Sequence, residues 1–139
     1  MAKFCATTIL DAALHVITAN VIKIIVAKNA PTDSSSTGVS ECLSTGADAT
    51  SIQLAAHVLA TATGTDFQIA AGDVSGRKLT ISEQATIDVS ATGVASHIIL
   101  MSSVTNLIYY YTTCTTQVLG STANKVTIPA WDIEFRDAT

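Results

Sequence analysis

Charge is scarce in this chain. Only 13% of its 139 residues are Asp, Glu, Lys or Arg, about half the usual share of roughly 25%. A domain this size normally needs more charge to stay soluble and unassociated. Basic residues are fewest: seven Lys and Arg against eleven Asp and Glu, for a net charge of −4. Only Arg77 and Lys78 are adjacent. Without a basic stripe or interleaved aromatics, no nucleic-acid partner is expected. The three cysteines, Cys5, Cys42 and Cys114, are an odd number and show no CxxC spacing. That argues against a disulfide framework or a zinc site and for reduced thiols buried as small hydrophobes. Long hydrophobic runs are missing too. Asp11, His15, Lys23 and Lys28 interrupt the apolar stretches, so nothing reaches the roughly 20 residues that span a bilayer. Met1–Ala19 lacks the apolar core and cleavage pattern of a signal peptide.

What is abundant is Thr, Ser, Val, Ile and Ala. The length suits one domain, 1–139. Low charge beside this composition suggests a surface largely covered by partners; an ordinary Thr-rich β-sandwich is the plainer reading. Thr8–Ala19 reads as a helix, with Leu10, Ala13, Leu14 and Ile17 on one face, Thr7 or Thr8 as cap and Asp11 in the first turn. Val21–Ala27 is β-branched and reads as a buried strand. After the turn at Ala30–Asp33, the Ser/Thr/Gly stretch Ser34–Thr50 reads as a flexible or partner-gripping loop, and deleting Ser35–Ala47 is expected to leave the fold intact.

Further strands are expected at Ile52–Thr61, Phe67–Ala70, Lys78–Ile81, Ala85–Val89, Val94–Met101, Asn106–Thr113, Thr116–Leu119 and Lys125–Phe135. Turns are expected at Thr63–Asp66, Ala71–Gly76 and Ser90–Gly93. Pro129 should place the last strand at an edge or give it a bulge. The apolar alternation of VTIPAWDIEFRDAT continues almost to the last residue, so this segment is expected inside a sheet. The fold class is mainly β: a two-sheet β-sandwich or jelly roll with one N-terminal helix.

Catalytic signatures are weak. GDVSGRK at Gly72–Lys78 has three residues between its glycines, where a Walker loop needs four, and strands flank it. Ser75 does not stand in G-x-S-x-G. His15, His57 and His97 are scattered, and a triad with Asp73 or Asp88 is remote. Asp66, Asp73 and Asp88 are isolated. Asp132 and Glu134 share a strand face about 7 Å apart, with Arg136 positioned to neutralise Glu134. No enzyme activity, catalytic residue, metal or cofactor is expected.

Tyr109–Tyr110–Tyr111 is an aromatic cluster in an aromatic-poor chain. On a regular strand Tyr109 and Tyr111 share one side. Such a cluster could stack a sugar, but interface packing is the favoured reading. The interface candidates are Tyr109, Tyr111, Trp131, Arg77 and Lys78.

Four segments, KFCATTILDAALHVI, GDVSGRKLTI, ATGVASHIILMSSVTNLIYYYTT and VTIPAWDIEFRDAT, resemble a group of small structural proteins of tailed bacteriophages. The resemblance covers nearly the whole chain and is patchiest across Ser34–Thr50. It implies a β-sandwich virion component assembled in the host cytoplasm. The leading expectation is a capsid decoration or cement protein that binds major capsid subunits and is itself a homo-oligomer, with a trimer the expected closure. Neck, tail or fibre components and a host-receptor or carbohydrate-binding module are the alternatives. No membrane partner is implied, and the resemblance carries over no catalytic residue.

Overall fold

The computed structural model describes residues 5–44, 50–60 and 65–136. The β-branched run at the centre of the fold explains its layering. Strand β1 (Lys23–Ala27) has Ile24 and Val26 on one face and Ile25 and Ala27 on the other, and all four are buried. A strand buried on both faces must be covered twice. β1 sits inside a four-stranded antiparallel sheet of order β2-β1-β6-β7, with β2 at Gln53–Val58, β6 at Gly93–Ser102 and β7 at Leu107–Leu119.

Ile24, Val26, Leu54 and Leu100 face the main core. There they meet Phe67, Leu79, Ile81 and Ile133. These come from a second antiparallel sheet of order β3-β4-β9, with β3 at Phe67–Ala71, β4 at Arg77–Ile81 and β9 at Trp131–Phe135. A two-stranded ribbon, β5 (Gln84–Asp88) with β8 (Lys125–Ile128), continues from the β2 edge through an Ala55–Val89 bridge. The chain is mainly β, as its turn-punctuated strand pattern predicts, with this sandwich and an N-terminal helix.

That helix, α1, spans Thr7–Asn20 and buries Leu14, Ile17 and Thr18. Its N-cap is Ala6, without a side-chain cap, so neither Thr7 nor Thr8 fills that role. Asp11 lies beyond the first turn and pairs with Arg77 instead.

A second helix corrects the reading of Ser34–Thr50 as a loop: α2 occupies Ser36–Leu43. Ser35 caps it, and Asp33 Oδ1 accepts hydrogen bonds from the Ser35 backbone N–H and hydroxyl and from the Gly38 N–H. These bonds hold the Asp33 carboxyl below its usual range. Val39 and Cys42 of α2 cover Ile25, Ile99, Met101 and Ile108, the second face of the sheet. Burying a side chain such as Val39 is worth about 1.5–3 kcal/mol. Deleting Ser35–Ala47 would strip this cover, so α2 is part of the fold. Residues 45–49 lie outside the described residues, as do 61–64 of the expected second strand and the Thr63–Asp66 turn. Residues 137–139, at the end of the expected terminal strand run, also lie outside them.

Two strand boundaries also differ. Asn106–Thr113 and Thr116–Leu119 form one strand, β7. Lys125–Phe135 is divided at Pro129–Ala130 into β8, which pairs with β5, and β9, which pairs with β4. Proline has no N–H to give a ladder, and here it marks the passage from one sheet to another.

Candidate functional site

β7 and β8 follow one another through Gly120–Asn124, yet they do not pair. β7 ends the four-stranded sheet while β8 joins β5, so the two strands splay. The wedge between them is a slot of about 450 Å³. Val26, Ala95 and Ile98 line it from the main sheet, Cys114 from β7, and Val126 and Trp131 from β8 and β9. No charged residue lines it. The slot exists because both walls are irregular. The β6–β7 ladder passes from His97–Thr113 to Ala95–Gln117, so β7 carries extra residues there, and Pro129 interrupts the opposite wall.

Trp131 is half-buried against the main core. Its ring centroid lies 5.7 Å from that of Tyr110, with the planes tilted by 31°. Its Nε1 is buried and is the one such side-chain atom without a hydrogen-bond partner among the described residues. A buried donor left unpaired costs about 1–3 kcal/mol. The slot is uncharged and largely apolar, and Trp131 Nε1 is itself buried rather than exposed to an occupant.

The tyrosines do not alternate as a regular strand would arrange them. Leu100 pairs with Tyr110 and Met101 with Ile108, so Tyr109 is the extra residue of a β-bulge. Tyr109 and Tyr110 both pack against the main core, and the Tyr109 hydroxyl meets Thr105 Oγ1 at 3.0 Å. Tyr111 remains 53% exposed. It lines, together with Ser34, Ile108, Tyr109 and Tyr110, a shallow cavity of about 280 Å³. Trp131 thus meets Tyr110, the one tyrosine of the cluster not named as an interface candidate, while Tyr111 is half exposed.

Arg77 and Lys78 sit at the head of β4, away from this face. Arg77 Nε is 2.5 Å from Asp11 Oδ1, and Lys78 Nζ is 2.6 Å from Asp73 Oδ1 and 3.4 Å from Asp132 Oδ2. The hydrogen bond to Asp73 raises the Lys78 pKa. Glu134 accepts from Arg136 Nε at 2.6 Å and from the Asp73 N–H at 2.7 Å, which pulls its carboxyl below the usual range. Both β9 carboxylates are thus engaged by neighbouring cations. His97 Nδ1 meets Ser96 Oγ at 2.8 Å, while Ser96 donates to the Lys28 carbonyl. Asp73 is paired with Lys78 and Asp88 with Lys125. No group of three His, Cys, Asp or Glu is placed to hold a metal ion among the described residues.

The splay between β7 and β8 and the outward placement of Tyr111 had no signal in the sequence; both follow from long-range pairing. Comparison with protein-family models, curated proteins and solved structures finds no match.

Proposed function

We propose that this protein is a structural component of a tailed-bacteriophage virion, acting as a capsid decoration or cement protein bound across major capsid subunits. The observation that carries the reading is β7, a thirteen-residue edge strand without one charged residue. Edge strands of free-standing proteins are normally blunted by charge or proline. An edge this bare suits a protein that works while bound. The resemblance to small phage structural proteins and the 13% charged content support the same reading. Binding only the mature lattice would stabilise it by mass action, in proportion to occupancy.

The glycan-binding alternative would use the shallow cavity that Tyr109, Tyr110 and Tyr111 line, although Tyr109 and Tyr110 also pack against the main core. The neck or tail alternative is separated by counting. Quantitative mass spectrometry of purified virions should find hundreds of copies per particle. A handful would assign the protein to neck, tail or fibre, and none would end the virion reading.

A further inference from the structure

The main core does not close along β7. Val26, Ala95, Val126 and Ile128 are buried members of that core, and Ile98 and Trp131 pack against it. All six also line the slot between β7 and β8. The slot is thus an opening of about 450 Å³ onto the interior of the sandwich, where folded chains normally leave few voids larger than a water molecule. That volume lies within the range of about 300–1,000 Å³ typical of small-molecule sites. The apolar floor gives water no hydrogen-bond partner, so an apolar body gains by displacing it. Thr113, Thr115 and Thr127 line the slot as well and are exposed, which sets hydroxyls at its mouth.

We propose that this slot binds a small neutral amphiphile, a molecule with one short aliphatic chain and a terminal hydroxyl. The aliphatic chain lies against Ile98, Val126 and Trp131, and the hydroxyl meets the threonine mouth. Trp131 contributes its ring and not its buried Nε1. Charge selects the class of ligand. No charged residue lines the slot, and the protein as a whole carries −4. A carboxylate or phosphate end would lose water with no cation to receive it, and the acidic molecule repels it on approach. An ammonium end finds no carboxylate there either. A neutral alcohol meets none of these costs. The site belongs to the single chain, so it stands apart from the proposed role on a virion.

Titration of the purified full chain with octanol tests it. Trp131 is the only tryptophan of the sequence and lines the slot, so its fluorescence reports occupancy. A saturable change in emission is expected, and octanoate should need at least about tenfold more for the same change. Cys114 lines the slot and Cys5 does not, so octanol should slow alkylation of Cys114 and leave that of Cys5 unchanged. Cys114→Phe fills the slot and should abolish the saturable change while keeping the parent's far-ultraviolet circular dichroism. Val118→Lys, exposed on the same strand and outside the lining, should bind as the parent does. Should Cys114→Phe fail to fold, protection of Cys114 in the parent chain decides alone. Emission that changes only in proportion to octanol, Cys114 alkylation indifferent to it, equal binding of octanoate, or full binding by a folded Cys114→Phe would overturn the assignment. Virion copy number is read separately, so neither result stands in for the other.

Discussion

Asp11 and Arg77 are joined across 66 positions of sequence, with Arg77 Nε 2.5 Å from Asp11 Oδ1. The pair fastens α1 to the head of β4. Their side chains are only 30% and 23% exposed, so water screens them less than a surface pair. Removing either charge by Asp11→Asn or Arg77→Gln should cost about 1 kcal/mol, the upper end for partly exposed pairs. A double-mutant cycle in urea should return a coupling of similar size. A coupling of zero would show that Leu14 and Ile17 alone seat the helix.

Gly76 closes the turn between β3 and β4 with φ of +74°. A Cβ there would strike the Phe135 carbonyl oxygen. Gly76→Ala therefore combines left-handed strain with a backbone clash. It should destabilise by more than the ~1 kcal/mol of backbone strain alone. Hydrogen exchange should show the loss in β4 and β9 first.

The Glu134 carboxylate is held by Arg136 and by the N–H groups of Asp73 and Val74. Its pKa in the folded chain lies below the ordinary 4.5, with the Arg136 bond the leading cause. A depressed carboxylate adds stability above its unfolded pKa, and that contribution disappears as pH falls through the folded value. Melting temperature should therefore drop on acidification below about pH 4.5. Glu134→Gln should flatten that slope and leave Asp33, lowered for its own reasons, to supply the remainder.

Burial pushes the Cys42 thiol up to about 12, while Cys5 and Cys114 are partly exposed. At neutral pH a thiol reagent should reach Cys114 and Cys5 within the time that Cys42 stays untouched. Urea should release all three thiols. If Cys42 reacts first, α2 does not cover the second core face.

What the sequence made legible depended on how local the cause was. Ile24 to Val26 is β-branched on both faces, so β1 was readable as a buried strand. Pro129 announced an interruption, although not that it divides two sheets. α2 was hidden because Ser36, Thr37, Gly38 and Ser40 have little intrinsic helical preference; the helix is held by Asp33 below it and the Ile25–Met101 face beneath it. The tyrosines misled for another reason. The bulge at Tyr109 is set by its pairing with β6, and no alternation rule can see a partner strand. The Tyr110–Trp131 contact joins residues from different sheets and leaves no periodic trace. Arg77 and Lys78 were read as surface or interface charges, whereas Asp11, Asp73 and Asp132 engage them within the fold.

β4 lies between β3 and β9, with Arg77 opposite Phe135 and Ile81 opposite Trp131. The hairpin with β3 can form early, but its other side must wait for a strand some fifty residues further along. Closing that loop spends chain entropy before any ladder rewards it. Folding should accordingly be slow for a chain of this length, in the millisecond-to-second range of non-local β topologies. During that wait the bare side of β4 is open to strands from other nascent molecules. Crowded synthesis should therefore favour aggregation more than heating of the finished protein does.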